Sequence, residues 1–279
     1  VKWEYPGESG SGVNNGEFSA EQIQALSKEF ESKSPREIIA WSVQTFLPEI
    51  AASSSFQTQS LPLLHMIAQV QPALPIFFLD TGFHFWETLL FREQLERIWG
   101  LNIVDLRADD RWQVFLNRFG RDLYMTDPDL CCYLRKVQPM QKALKQLRAW
   151  ISGIRRDQTT DRAQAQILEL EPDGLIKINP LLNWTKKDVQ DYIRNHNLPI
   201  HPLTQMGYQS IGCKVCTRAV LPGEDERAGR WSGTGKTECG LHTEMFRKDE
   251  SQTLMQNFIL KTGKTGELKP DTPPAENEK

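Results

Sequence analysis

Residues 74–80, LPIFFLD, form an unbroken apolar run between Pro75 and the Thr81–Gly82 turn. A strand with one wet face alternates apolar and polar side chains. A run without that alternation is expected where both faces are buried. Burying both faces requires cover on each side of the sheet, and the flanking sequence offers helices for it. Strands alternating with helices predict an α/β fold, a single parallel-sheet domain covered on both faces.

Two helices open the pattern. Ser19 with Gln22 reads as a capping box before IQALSKEF; Ser34, Pro35 and Glu37 supply cap, first-turn proline and box partner for EIIAWSVQTF. EIAASSS reads as a short strand running into a Ser-rich loop, followed by the helix LPLLHMIAQV. WETLLFREQLERIWG is an amphipathic helix stopped at Gly100, and LNIVDL is the next strand. Helix is expected around Cys131, interrupted near Pro139, because the residue before a proline disfavours the α region. AWISGI and LIKINPL are further strands, and Thr185 with Asp188 caps a last clear helix, TKKDVQDYIRNHN. We find no internal repeat.

Composition narrows the class. Hydrophobic residues make up 39% and charged ones 25%, and the net charge of −3 gives no reason to expect nucleic acid as a partner. No apolar run approaches the roughly 20 residues of a membrane span, so no membrane contact is expected. The opening VKWEYPGESGSGVNNGE lacks the basic start and apolar stretch of a secretory signal, and residues 1–18 read as a flexible arm. Residues 263–279, polar and without aromatics, read as a disordered tail. Between them lie an α/β domain over 19–200 and an irregular segment over 201–262, rich in Gly, Cys and Arg.

Five cysteines stand at 131, 132, 213, 216 and 239. Cys131 and Cys132 are adjacent, and a bridge between them would be strained. Consecutive Cα atoms lie about 3.8 Å apart, whereas disulfides prefer roughly 4.4–6.8 Å. An odd count in two tight pairs and a singleton, without an export signal, favours metal or redox chemistry and a cytoplasmic location. Cys131–Cys132 and the C-x-x-C of Cys213 and Cys216 together offer four thiolates, with Lys136 about one helical turn after Cys132. Such a shell suits zinc as well as iron–sulfur. Zinc ribbons normally use two C-x-x-C knuckles, so the adjacent pair favours a [4Fe–4S] cluster.

Cys239 lies in GRWSGTGKTECGLH, where glycines give mobility and Lys236 and His242 offer positive charge. Cations lower a thiol pKa and raise its thiolate fraction, which marks Cys239 as a candidate nucleophile. AASSSFQTQSLPLL, 51–64, runs from strand to helix through hydroxyl and amide side chains, a candidate anion-binding loop. LDTGFHFWE, 79–87, begins where ligands of open α/β sheets bind, at a strand's carboxyl end. Arg155, Arg156, Arg162, Arg218, Arg227 and Arg230 are forks suited to phosphate or sulfate oxygens.

Together these segments, over about residues 35–246, resemble the assimilatory adenylylsulfate/phosphoadenylylsulfate reductases of the iron–sulfur branch. C-C-x80-C-x-x-C and K-T-E-C-G-L-H are the most specific elements of the likeness. The resemblance implies a nucleotide α-hydrolase-like sheet and a [4Fe–4S] cluster on Cys131, Cys132, Cys213 and Cys216. It also implies Cys239 as nucleophile, and Lys136, Arg162, Arg227 and Arg230 on the phosphosulfate. Ser54, Ser55 and Phe56 fall in the substrate loop, and Leu79, Asp80 and Thr81 in the adenosine pocket. Arg156 and His242 join them as substrate-side candidates by charge. Related loops often read S-S-F-G, but here Gln57 follows Phe56, so the turn must form without that glycine.

The activity implied is reduction of adenylylsulfate to sulfite and AMP through an S-sulfocysteine. The 3′-phosphorylated nucleotide is the alternative substrate, and an ATP pyrophosphatase-type enzyme on the same fold is a remoter one. Such pyrophosphatases carry S-G-G-x-D-S, which is absent here. The sole C-x-x-C is assigned to the cluster, so the reductant is expected to be a separate thioredoxin or glutaredoxin. Whether the chain forms a homo-oligomer is left open by the sequence.

Overall fold

A computed structural model describes residues 18–108, 114, 119, 120, 122–234, 236–247 and 251–263. Nearly all of the expected N-terminal arm and of the expected tail lies outside the described residues. Helix α1 (Ala20–Phe30) starts at Ser19 and α2 (Pro35–Phe46) at Ser34, each with a complete capping box. Strand β1 (Ile50–Ser53) leads through the Ser-rich loop into α3 (Leu61–Val70). Strand β2 (Pro75–Leu79), α4 (Trp86–Trp99) and β3 (Asn102–Leu106) follow, with Gly100 closing α4 at φ 62° in the left-handed region that favours glycine.

Three more strands, β4 (Ala149–Ile151), β5 (Leu168–Leu170) and β6 (Ile176–Ile178), complete a sheet of order β3-β2-β1-β4-β6-β5. All neighbours are parallel except β5 with β6. The single, mostly parallel sheet is the one expected, with β5 added as an antiparallel edge. Glu171–Gly174 turns the chain back tightly, with Gly174 at φ 87°, and a three-residue strand carries too little pattern to be read in advance.

Alternation along each strand divides the interior. Ile50, Ala52, Ile76, Phe78, Ala149 and Ile151 join one large core with α1, α2 and α3. Their neighbours Ala51, Phe77 and Trp150 face the opposite side, into a smaller core with Met140, Leu144, Leu241 and Phe246. The second face is therefore covered partly by the segment that follows Cys239.

Cys131 and Cys132 end the short helix Pro128–Cys132, which Asp127 caps by accepting from the Leu130 N–H at 3.0 Å. The expected break at Pro139 takes another form. A π turn, Tyr133–Val137, leads directly into the helix Gln138–Leu144, with Pro139 in its first turn, where a missing N–H costs least. The helix Lys186–Asn195 carries the Thr185–Asp188 capping box. Beyond residue 200 the chain runs through short 3-10 turns before the helix Ser251–Thr262.

Candidate active site

The strand order reverses direction between β1 and β4, and a cleft opens at the carboxyl ends of these strands. Ligands of open α/β sheets bind at such switch points, because the flanking loops diverge there. Ser53, Ser54 and Ser55 line it from β1, Leu79 from β2, and Ser152 with Gly153 from β4. Lys136, Arg162, Arg227 and Arg230 line it as well, together with Cys239 and His242. Nine of the residues proposed from sequence thus converge, from positions 54 to 242.

Local folding explains how they arrive. The Ser54 Oγ accepts from the Phe56 N–H at 3.0 Å, and Phe56 takes φ 55°. The left-handed turn thus falls on Phe56 itself, a strained choice for a bulky residue. Its ring, fully buried, lies edge-on to Phe78 at 5.6 Å. Phe56 therefore shapes the loop from the core and does not line the cleft, which corrects its substrate-binding assignment. Gln57, which follows Phe56, accepts from the Ile211 N–H at 2.9 Å and ties the loop to the segment preceding Cys213.

Three further assignments change. Asp80 pairs with Arg107 at 2.7 Å and accepts from the Gly82 N–H, so it organises the turn after β2 without facing the cleft. Thr81 faces a neighbouring cavity, 3.3 Å from Cys213 Sγ through its hydroxyl. Arg156 points elsewhere, pairing with Glu31 at 2.7 Å and with Asn183. Arg155, a further arginine fork, is buried against Asp157 (2.9 Å) and Gln59 (2.6 Å). His242 lies parallel to Trp150 with ring centroids 5.9 Å apart. Burial, then Arg162, Lys177 and Arg227, hold its imidazole well below the usual range, so it is neutral and not the cation anticipated.

Two features were missed. Trp231, buried at φ 47°, lines both the cleft and the neighbouring cavity, with the Arg230 guanidinium 4.3 Å and Lys236 Nζ 5.7 Å from its ring. The bare glycine at Gly212 makes room for the Arg230 guanidinium, which a Cβ there would strike. A lone Trp among arginines was the available signal. Glu238 was missed because a carboxylate is not sought in an anion site. It accepts from Arg162 Nε and Nη2, both at 2.8 Å, and from the Cys239 N–H at 2.8 Å. Arg230 Nε and Arg227 Nε are buried and have no hydrogen-bond partner among the described residues, the pattern of donors awaiting an anion.

The neighbouring cavity is ringed by Cys131, Cys132, Cys213 and Cys216, with Lys136 on the wall it shares with the cleft. Burial pushes the Cys132 thiol up to about 12, with Cys239 the next contributor. Lys136 is held above its usual range, because Cys213, Cys239 and Cys132 outweigh its burial. It stands between the four thiols and the fifth. Among the described residues no group of three or more His, Cys, Asp or Glu side chains converges on a position for a metal ion. The four thiols line this one cavity.

These features agree with comparisons to known proteins. The model of the phosphoadenosine phosphosulfate reductase domain matches residues 49–219. A curated relative from Rhodococcus opacus (strain B4), an adenosine 5′-phosphosulfate reductase, is 40% identical over 76% of this chain and 90% of that protein. One of the same name from Chelativorans sp. (strain BNC1) is 44% identical, over 74% of this chain and 84% of its own. Among solved structures, the phosphoadenylyl-sulfate reductase of Candida auris in its phosphate complex superposes with a TM-score of 0.63 at 30% identity, covering 71% of this chain and 97% of that one. The chain belongs to the phosphoadenosine phosphosulfate reductase domain family. That assignment replaces the pyrophosphatase alternative.

Proposed function

We propose that the protein reduces adenosine 5′-phosphosulfate to sulfite and AMP, with Cys239 as nucleophile. The observation that carries this is the placing of Cys239 in one cleft with Lys136, Arg162, Arg227 and Arg230. The Cys239 thiolate attacks the sulfate sulfur, forming an S–S bond as the bond from sulfur to the phosphate oxygen breaks. AMP leaves with that electron pair, and Lys136, Arg227 and Arg230 stabilise the growing charge. A dithiol of the thioredoxin or glutaredoxin type then attacks the Cys239 sulfur. Sulfite departs with two electrons, and the partner's second thiol completes its disulfide and frees Cys239.

The four remaining cysteines fit a [4Fe–4S] cluster. A zinc ion would need all four sulfurs about 2.3 Å from one point. A cluster takes one thiolate on each of its irons, which suits four thiols that line one cavity. When bound, the group supplies a fixed charge beside Lys136, and no electron from it is needed in the scheme above. The protein's own part is to hold Lys136 between the two centres.

Preference for the unphosphorylated nucleotide is supported by where the unassigned arginines went. A ribose 3′-phosphate would need its own cation, yet Arg155 and Arg156 are turned to Asp157 and Glu31. Gln57 and Gln59 line the cleft near the serine loop instead. The names of the relatives point the same way. Sulfite release measured with each nucleotide decides it. The expected result is kcat/KM at least about tenfold higher for adenosine 5′-phosphosulfate, the cost of one charge-assisted hydrogen bond. A ratio favouring the 3′-phosphorylated form overturns the preference and leaves the chemistry at Cys239 standing.

A further inference from the structure

Glu238 is the unexpected group in this site. Its side chain is 2% exposed, and it immediately precedes the nucleophile. A buried carboxylate among substrate-binding arginines opposes the binding of an anion, so its presence calls for a compensating role. Its hydrogen bonds show what it joins. One oxygen accepts from Arg162 Nη2 and the Cys239 N–H at 2.8 Å each, and from Arg227 Nη2 at 3.3 Å. The other accepts from Arg162 Nε at 2.8 Å and from the Thr159 hydroxyl at 3.2 Å.

Arg162 therefore spends the planar edge of its fork on Glu238, while Arg227 keeps its buried Nε without a partner among the described residues. The backbone on the far side of Cys239 is fixed differently. Gly240 packs so closely on Val137 that a Cβ there would lie 2.9 Å from Val137 Cγ2, and Leu241 enters the smaller core. Downstream of Cys239 the segment is thus held by apolar contact. Upstream, Lys236 pairs with Asp129 and the Thr237 carbonyl accepts from Arg227 at 3.3 Å, but the hold directly on the Cys239 N–H is the Glu238 carboxylate.

We infer that Glu238 is a positioning residue: its bidentate pairing with Arg162, shared with Arg227, anchors the Cys239 backbone so that the thiol is held over the substrate's sulfur. The inference rests on the reading of Cys239 as nucleophile. A carboxylate that merely neutralised two buried arginines would behave differently on removal. Binding of the anion would tighten, and the rate of attack would stay the same.

The experiment uses the cluster-bearing holoenzyme and two readouts. The first is single-turnover sulfonation of Cys239 by adenosine 5′-phosphosulfate without reductant, read by mass spectrometry across nucleotide concentrations. The second is alkylation of Cys239 by iodoacetamide without nucleotide, located by peptide mapping. Glu238→Gln keeps the shape and removes the charge. It is expected to slow sulfonation at saturating nucleotide by about tenfold or more, as loss of charge-assisted hydrogen bonds implies. Alkylation is expected to accelerate, because the upstream anchor is loosened. Glu238→Asp retains the charge but shortens the reach. It should shift both readouts in the same direction by less, and it decides the matter if the Gln variant does not accumulate. Wild-type sulfonation rates at saturation, or a change confined to nucleotide affinity, overturn the inference. Failure of the wild type to acquire a sulfonate on Cys239 would instead sink the nucleophile reading, and the alkylation comparison would still judge Glu238.

Discussion

The two faces of the sheet are secured by different forces. On one, α1, α2 and α3 press aliphatic and aromatic side chains onto alternate residues of β1, β2 and β4. On the other, the irregular segment after residue 200 is tied down by a smaller apolar cluster and by charge. Arg162 meets Glu238 at 2.8 Å, and Arg247 meets Glu169 and Glu171 at 3.2 Å and 2.9 Å. Apolar burial is non-directional, whereas the pairs of Arg247, whose side chain is 41% exposed, are individually weak and can open; the Arg162–Glu238 pair is buried and costly to break. The difference places stability on the first face and chemistry on the second. Cys239 lies on this second side, in the cleft it shares with Lys136 and the arginines.

Chemistry and stability should therefore separate under mutation, and the largest effects test that. Cys239→Ser is expected to abolish sulfite formation while leaving the urea midpoint and the visible absorbance of the proposed cluster unchanged. Cys213→Ser is expected to lose iron, colour and most activity together. Residual sulfite from the Cys239 variant at more than a trace would contradict the division. On the first face, Phe46→Ala should cost about 3–5 kcal/mol of unfolding free energy, a range typical of large aromatic truncations in a core. Phe46 is 1% exposed and packs on Trp41 with ring centroids 5.5 Å apart. Arg247→Ala, on the second face, should cost about 1 kcal/mol or less. Equal losses in the two variants would erase the comparison.

The same division governs what could be read from the chain. Ser19, Ser34 and Thr185 cap their helices as their local sequence says, because a capping box is closed within four residues. Pro75–Leu79 is legible for a similar reason: burial on both faces leaves a continuous run. Long-range pairing leaves no such trace. Nothing near Arg156 indicates that its partner is Glu31, 125 residues earlier, so its charge alone drew it wrongly toward the substrate. Phe56 was assigned to the ligand because its neighbours touch the cleft, but a left-handed turn at that residue sends the ring into the core. The two cysteine pairs, far apart in sequence, line one cavity, a convergence that their pairing made a reasonable expectation because thiols in pairs have few uses.

A titration probes the contact between the segment after residue 200 and α4. His201 is fully buried, its Nε2 3.0 Å from the Thr88 hydroxyl and its Nδ1 accepting from the Leu203 N–H at 3.2 Å. Accepting at Nδ1 places the proton of the neutral ring on Nε2, which donates to Thr88. Burial lowers its pKa from 6.5 to about 4. The folded state then binds fewer protons than the unfolded one, so stability is complete above pH 6.5 and falls as pH drops through 6.5 toward 4. The total loss is on the order of 3 kcal/mol from this group. Urea midpoints at pH 7 and pH 5 should differ more for wild type than for His201→Gln. An identical pH response in both would exclude His201 as the source.

The smallest expected effect is also the sharpest check on the revised site. Arg156 was a candidate for the substrate's phosphate, yet it bridges Glu31 just past the end of α1 to Asn183, with its side chain 32% exposed. Its pKa lies above the ordinary guanidinium range because Glu31 accepts its hydrogen bonds, and Glu31 is correspondingly lowered. Such a pair is screened by solvent and salt, and its loss is expected to cost about 1 kcal/mol or less. Arg156→Ala should therefore leave kcat, KM and the ratio between the two nucleotides within about twofold of wild type, a change below 0.5 kcal/mol. Arg230→Ala, made beside it, should lose at least about tenfold in kcat/KM, since its guanidinium lies in the cleft with Nε unpartnered. If Arg156→Ala instead raised KM severalfold while Arg230→Ala did not, the anion site would have to be moved toward α1 and away from Cys239.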